Sequence, residues 1–298
     1  VKLNESLARH STFRVGGPAD AFVVVRSADE LRRAVLAARA CGLRVLVLGG
    51  ESNILPADEG FRGLVIANRA QAWRILAPAA AGQPAIVRAE SGVRLGRLAR
   101  EAARKGLGGL EWAEGIPGTV GGGVVNNAGA FGGCMADVLV AADILWPDGA
   151  VRTAAASALD LRYRYSRLHE VTDAVVLTAD LALRPGDPEA LTARIAQISA
   201  DRRAKQPLGA SAGSVFKNPP GAAAGALIDQ AGLKGTRVGG AWIALEHGNF
   251  ILTNGRARAS DIWALICRAR DEVWRQFGVA LELEVQLVGE WQREAIHG

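Results

Sequence analysis

Two glutamates two residues apart, Glu282 and Glu284, are the plainest acid–base candidates in this 298-residue sequence. They lie in Leu281-Glu282-Leu283-Glu284-Val285-Gln286-Leu287, a strictly alternating run that predicts a strand with the glutamates and Gln286 on one face. Strand geometry would set the two glutamates about 6.5–7 Å apart, close enough to divide acid and base roles. On spacing alone a solvated polar face is the better reading. Tyr163-Arg164-Tyr165-Ser166 sets a guanidinium between two phenols. Arginine is the side chain best suited to grip a carboxylate with two hydrogen bonds, though surface stacking gives the same pattern. Gly213-Ser214-Val215-Phe216-Lys217-Asn218-Pro219 is not the GxSxG of a hydrolase elbow, and no His/Asp partner set accompanies it. If extended, it places Ser214, Phe216 and Asn218 on one face. By itself it reads equally as a polar loop.

Glycine supplies the other candidate. Residues 106–133 hold 11 of the 36 glycines, too many for one regular helix or strand, while the interleaved Val, Ile, Trp and Phe argue against a floppy linker. Two loops, 49–53 and 115–129, are rich in backbone N–H groups and small side chains. Consecutive amides of this kind form concave anion sites suited to a pyrophosphate. Tight structural turns are the alternative, and the interleaved Asn and Ser favour a ligand. Neither loop matches GxxxxGK[ST] or a GxGxxG opening a helix, which disfavours a P-loop kinase or a Rossmann dehydrogenase.

The elements that must position these residues follow from periodicity and punctuation. Ala21–Arg26 predicts a strand, Ser27-Ala28-Asp29-Glu30 a capped helix start, Gly42 its stop after about Cys41, and Leu43–Leu48 a second strand. Val140–Trp146, Pro147-Asp148-Gly149 and Ala150–Thr153 read as strand, turn, strand, with a further strand over Ala174–Leu183. Arg184-Pro185-Gly186-Asp187-Pro188 is the best candidate boundary, followed by a helix over about 189–204. Another helix is expected over about 222–231, and then strands. An amphipathic helix from about Asp261 puts Ile262, Ile266, Ala269, Val273 and Phe277 on one face before Gly278.

Composition narrows the function classes. The net charge is +5 with basic residues scattered, and neither a basic tail nor a nucleic-acid motif is present. Handling of anionic small molecules fits better than DNA or RNA binding. Three of the five lysines, Lys205, Lys217 and Lys234, fall within 30 residues of one another and single out the C-terminal third. Cys41, Cys134 and Cys267 are odd in number and far apart, and His10, His169, His247 and His297 show no metal-ligand spacing, so no catalytic metal is expected. No run approaches the roughly 18 apolar residues of a membrane span. Val1–Glu5 carries no signal core, which makes the cytoplasm the expected location.

Taken together the pieces resemble the UDP-N-acetylenolpyruvoylglucosamine reductase (UDP-N-acetylmuramate dehydrogenase) family over nearly the whole chain. The matching stretches are Ser11–Ala19, Gly49–Asn53, Asp58–Gly63, Gly115–Gly122, Asn127–Gly129, Tyr163-Arg164, Arg202–Pro207, Gly213–Pro219, Ala231–Gly235 and Gly278–Val285. Their order and joint spacing are what is specific. The short chain fits the family's compact subtype, which lacks an extra substrate-covering loop. The resemblance implies an α+β protein: a two-part FAD-binding region of the PCMH type (the fold of vanillyl-alcohol oxidases) over residues 1–185, with subdomains of about 1–80 and 81–185. An α+β substrate-binding domain over 186–298 would follow.

It also implies that NADPH reduces non-covalently bound FAD. The flavin then delivers a hydride to the enolpyruvyl group of UDP-N-acetylglucosamine enolpyruvate, giving UDP-N-acetylmuramate for peptidoglycan. Arg164 and Glu284 would attend the substrate carboxylate, and Ser214 would donate the proton. FAD would be held by Gly49, Gly50, Glu51, Ser52, Asn53, Gly115, Ile116, Pro117, Gly118, Thr119, Gly121, Gly122, Asn127, Ala128 and Gly129. Tyr163, Lys205, Lys217, Asn218 and Lys234 would contact the substrate or the nicotinamide nucleotide, and a monomer is expected. The chain departs from the family's pattern at Glu51, where glycine is usual, at Tyr165, where histidine is frequent, and over Gly240–Ala244. Another FAD-dependent oxidoreductase of the sugar or alcohol oxidase type is the alternative. A histidine tether in the glycine-rich region is unavailable to it, because no histidine lies between His10 and His169. A nucleotide-binding regulatory protein without catalysis is the third reading, opposed by intact Arg164, Ser214 and Glu284.

Overall fold

The computed structural model describes residues 1–80 and 82–291, so His297 lies outside the described residues. Chain packing forms two compact units. One comprises Val1–Phe22, Glu51–Leu64 and Arg203–Gly298; the other comprises Val23–Gly50 and Val65–Arg202. The expected regions 1–185 and 186–298 divide the chain by ligand, which packing by itself does not test. Among the described residues no helix is long and apolar enough to cross a membrane.

The unit of Val23–Gly50 and Val65–Arg202 is built on an antiparallel sheet. Its strands run in the order Val151–Ala155, Leu139–Leu145, Val175–Pro185, Ala85–Glu90, Trp73–Ala77. Ala142 faces Ala179, and Ala179 faces Ala89, so three small buried residues cross adjacent strands in a row. The face they share with Val87, Ile144 and Leu181 carries the core, into which the helix Leu95–Arg104 drives Leu95, Leu98 and Ala102. Neighbouring positions point the other way and are polar. There Arg88 grips Asp180 through two hydrogen bonds of 2.7 Å, the cross-strand charge pairing that the register of the two residues dictates. The helix Ala28–Ala40 begins as its sequence requires: Ser27 Oγ accepts from the Glu30 N–H at 3.1 Å. Glu30 turns back to Arg26 N–H at 2.6 Å, and Gly42 takes a left-handed φ of 68° just past the end.

A short helix, Val120–Val125, interrupts the glycine-rich stretch although half of its residues are glycine. Tertiary packing overrides propensity here. Val120 and Val124 are fully buried, and a Cβ on Gly121 or Gly123 would stand 2.8 Å from Ser91 Cβ or Met135 Cε.

The other unit has its own core of Phe13, Leu55, Phe216, Ile243, Ile262 and Leu281 with their neighbours. It contains a three-stranded antiparallel sheet of Arg237–Val238, Ala241–Ile243 and Ile251–Thr253, the helices Ala224–Gln230 and Ala259–Phe277, and a parallel pair of Ile54–Pro56 with Gln286–Val288. Ile262, Ile266, Ala269 and Val273 are buried as the periodicity requires, and Gly278 ends the helix at a φ of 65°. Phe277 departs from that face and is 37% exposed, since it occupies the last turn where the helix leaves the core.

The expected strand over 281–287 is a correction. Only Gln286–Val288 pairs as a regular strand, and the glutamates before it lie in an irregular segment. Apolar burial still alternates there, with Leu281 and Val285 buried and Glu282 and Gln286 exposed.

Candidate functional site

Ser214 and Glu284, 70 residues apart in sequence, are brought together in one unit by main-chain hydrogen bonds. The segment after Gly213 runs between two neighbours. On one side Ser214 bridges Phe250, and Val215 N–H donates to Asn249 O at 3.0 Å. On the other, Phe216 bridges Leu283, and Lys217 N–H donates to Glu282 O at 2.9 Å. Glu284 N–H donates to Val215 O at 2.8 Å, and Val285 N–H reaches the same oxygen at 3.3 Å. One carbonyl serving two consecutive N–H groups is the mark of a bulge. It re-aims Glu284, which is half-buried while Glu282 and Gln286 are exposed.

The expected single face for Ser214, Phe216 and Asn218 is not what the chain adopts. Val215 is 1% and Phe216 2% exposed, so consecutive residues are buried on both sides, as in a covered central strand. Glu282 does not serve as the second carboxylate of a pair: its side chain meets Lys217 Nζ at 3.3 Å.

Two asparagines fasten this arrangement. Asn53, expected as a cofactor ligand, donates its side-chain amide to Glu284 O at 3.0 Å and accepts at its own carbonyl from Gln286 N–H at 2.9 Å. Asn249, which sequence reasoning missed, is buried and hydrogen-bonds both main-chain groups of Phe216, at 2.9 and 2.8 Å. The available signal was a lone amide ahead of the apolar run Phe250-Ile251-Leu252. Among the expected substrate contacts in this unit, Asn218 Oδ1 accepts from Ala224 N–H at 3.1 Å, and Lys234 pairs with Asp229 at 2.6 Å. Lys205 is exposed at the end of the helix Pro188–Lys205.

Trp242, within the unusual Gly240–Ala244 run, sits in the middle strand of the small sheet. It packs on Ala244, Phe250 and Leu252, with the Arg237 guanidinium 5.0 Å from its ring centre. The departure from the family pattern thus fills a local core.

In the other unit the two glycine loops meet backbone to backbone. A side chain at Gly50 would strike the Pro117 carbonyl oxygen and come within 2.8 Å of Gly118 Cα; one at Gly49 would strike the Thr119 hydroxyl. Arg69 holds the first loop by donating to Gly49 O at 2.9 Å. Leu95 N–H holds the second by donating to Gly118 O at 3.1 Å, and Ile116 packs on the core. Gly115 lies against the Arg202 side chain, 2.7 Å from where its Cβ would stand. Arg202 donates to Glu114 O at 3.2 Å, and burial pulls its protonation below the usual arginine range, partly offset by the Glu114 charge.

Further along, the Asn127 side chain is committed to the main chain. It accepts from Ala136 N–H at 2.9 Å and donates to Arg162 O at 2.8 Å. Ala128 O accepts from Met135 N–H at 2.8 Å. Arg164 donates to Gly129 O at 2.9 Å from a left-handed backbone position (φ 53°) at the tip of the Arg162–Tyr165 turn. Its guanidinium lies 5.2 Å from the centre of the exposed Tyr163 ring. Tyr165 is engaged with Arg162 and Glu170 instead.

The glycine cradle therefore presents main-chain groups, with Thr119 and Asn127 bracing it from within. That composition fits a large phosphate-bearing cofactor approached by backbone rather than by side chains. Glu51 adopts a φ of 60°, a conformation natural to the glycine usual at this position. Among the described residues no cluster of three or more His, Cys, Asp or Glu could hold a metal.

Comparison with known proteins gives a consistent result. Residues 19–155 match the family described as FAD binding domain, and residues 204–288 match the C-terminal domain of UDP-N-acetylenolpyruvoylglucosamine reductase. The chain is 46% identical to UDP-N-acetylenolpyruvoylglucosamine reductase 2 of Symbiobacterium thermophilum, covering 97% of this chain and 92% of the relative. It is 45% identical to the reductase of Moorella thermoacetica, covering 97% and 94%. The crystal structure of UDP-N-acetylenolpyruvylglucosamine reductase from Thermus caldophilus superposes with a TM-score of 0.78 at 38% identity, over 95% of this chain and 97% of that one.

Proposed function

The chain belongs to the UDP-N-acetylenolpyruvoylglucosamine reductase family, and from that premise we propose how its residues divide the work. It is an FAD-dependent oxidoreductase that reduces UDP-N-acetylglucosamine enolpyruvate to UDP-N-acetylmuramate with NADPH, a step of peptidoglycan precursor synthesis. Bound FAD would supply the hydride chemistry. Gly49–Asn53 and Gly115–Thr119, with Gly121, Gly122 and Asn127–Gly129, would hold it through main-chain groups.

The difficulty the protein must meet is electrostatic. Reduction of a double bond that already bears a carboxylate builds further negative charge on an anion. Preorganised positive charge and hydrogen-bond donors are the effective remedy. Arg164 carries the permanent positive charge, and its hydrogen bond to Gly129 O limits where the guanidinium can go. Glu284, as a hydrogen-bond donor when protonated, polarises the same carboxylate. Ser214 delivers the proton to the carbon beside it. Tyr163, Lys205, Lys217, Asn218 and Lys234 bind the rest of the substrate or the nicotinamide nucleotide. For Lys217 and Lys234 this means exchanging the present partners Glu282 and Asp229 for phosphate.

The observation that carries the assignment is the 2.8 Å hydrogen bond from Glu284 N–H to Val215 O, which holds the segments of two of the three proposed catalytic residues side by side. The nucleotide substrates support a cytoplasmic role. The test is NADPH oxidation by the purified flavoprotein with and without UDP-N-acetylglucosamine enolpyruvate. Substrate-dependent turnover yielding UDP-N-acetylmuramate is expected, and its absence would overturn the assignment.

A further inference from the structure

We propose that Asn249 is the positioning residue for Ser214, a role that rests on Ser214 being the proton donor. Asn249 is 3% exposed, and its side chain makes two hydrogen bonds to one residue: Oδ1 accepts from Phe216 N–H at 2.9 Å, and Nδ2 donates to Phe216 O at 2.8 Å. Its own carbonyl accepts from Val215 N–H at 3.0 Å. The remaining main-chain group of the dipeptide, Val215 O, takes Glu284 and Val285 N–H. Every polar main-chain atom of Val215 and Phe216 is thereby fixed, three of them by Asn249 and the fourth by the Glu284 segment.

Ser214 is the next residue along, and it bridges Phe250, the residue that follows Asn249. Gly213 precedes it at a φ of 76°, with open space where a side chain would stand. The Ser214 backbone is therefore held by the Asn249-Phe250 segment and by the fixed dipeptide that follows it. An amide is the side chain this requires, because it donates and accepts at once; a carboxylate cannot donate and an aliphatic residue can do neither. Asn249 is itself held, since its N–H donates to His247 Nδ1 at 3.2 Å, and the His247 ring packs against Phe250 at 4.8 Å between centres. The chain of contact from His247 through Asn249 to the Val215-Phe216 dipeptide ends at Ser214 on one side and Glu284 on the other.

The experiment compares Asn249→Ala, Asn249→Ser and Ser214→Ala in the full flavoprotein. It measures the two half-reactions separately by rapid mixing, together with FAD content and melting temperature. Misplacement of a catalytic group by a fraction of an ångström to an ångström costs on the order of 10- to 100-fold, so N249A should slow substrate reduction by that factor while NADPH still reduces the flavin within about twofold of the parent rate. N249S, which keeps one hydroxyl for Phe216, should lose less. A solvent isotope effect that grows in N249A on the second half-reaction is also expected, because proton delivery becomes the slow event. Equal loss in both half-reactions, or loss of folded flavoprotein in both Asn249 variants, would make Asn249 purely structural and overturn the proposal. If S214A is selective for the second half-reaction and N249A is not, the Asn249 proposal alone fails. If S214A leaves substrate reduction intact, the proton-donor reading fails and takes this proposal with it.

Discussion

At the residue scale the chemistry depends on where a few polar groups are prevented from going. Ser214 is followed by a rigid dipeptide and bridges Phe250. Removing its hydroxyl should therefore leave the surrounding main chain in place and expose the loss of the proton alone. Ser214→Ala is expected to slow the substrate half-reaction by roughly 100-fold or more, with flavin reduction by NADPH little affected; stopped-flow absorbance of the flavin reads both. Glu51 is a second case. Its φ of 60° strains any residue with a Cβ, at a cost of about 1–2 kcal/mol, and it places an anion in a loop assigned to an anionic cofactor. Glu51→Gly should tighten FAD binding several-fold at low ionic strength, with the advantage shrinking as salt rises, because charge repulsion is screened over about 10 Å at 0.1 M. Fluorescence titration at two salt concentrations would decide it; equal affinity in parent and variant at low salt would remove Glu51 from the cofactor's surroundings.

At the element scale the protein relies on loops that tolerate no side chain and on a buried amide held by a histidine. Gly50 sits where any Cβ meets the Pro117 carbonyl, and neither partner can yield because both are backbone. Gly50→Ala should separate the two loops, and purified protein should lack most of the visible flavin absorbance while keeping its helical circular dichroism. Retention of full FAD content would show that the loop approach is not needed for the cofactor.

His247 offers a pH-dependent case. Burial, helped by the charge of Lys234, pushes its protonation below the ordinary value near 6.5, and its Nδ1 must remain an acceptor for Asn249 N–H. The unfolded chain therefore binds a proton at His247 that the folded chain resists. Stability from this group is complete above about pH 6.5 and declines as the pH falls toward the lower folded value. Denaturant midpoints between pH 7.5 and about pH 5.5 should fall less steeply for His247→Gln than for the parent. An unchanged slope would show that His247 does not contribute.

At the scale of the whole molecule, each compact unit closes its own core, and the cofactor adds stability on top. One unit is an antiparallel sheet with helices on its apolar face, and the other is a small sheet with helices and a parallel strand pair. A ligand that binds only the folded state stabilises it by about 2.7 kcal/mol at 100 times its dissociation constant. Added FAD should therefore raise the melting temperature of the apoprotein in a concentration-dependent way, and the Gly50→Ala chain should show no such rise. A rise of the same size in that variant would place the cofactor elsewhere than the glycine loops.

Much of this organisation was legible in the residues because it is local. Ser27, Glu30 and Gly42 bracket a helix whose ends are decided by its own side chains. Pro147-Asp148-Gly149 likewise gives a turn, with Gly149 at a φ of 84°, between two strands that pair as the alternation requires. The family itself followed from the order of short motifs. What the residues could not show was set by partners far along the chain. Val215 and Phe216 are both buried because two distant segments flank them, so an alternating reading of Ser214–Asn218 fails. Glu284 lies half-buried in an irregular segment, off the expected solvent face, because Val215 O takes two N–H groups in succession. Asn249 looks like a loop residue in sequence and becomes the clamp on the Ser214 segment only through a pairing 33 residues distant. Residue type and spacing determined which groups could do the chemistry. Tertiary hydrogen bonding alone decided which of them are held where they can do it, because a buried main-chain group must find its partner wherever the fold supplies one.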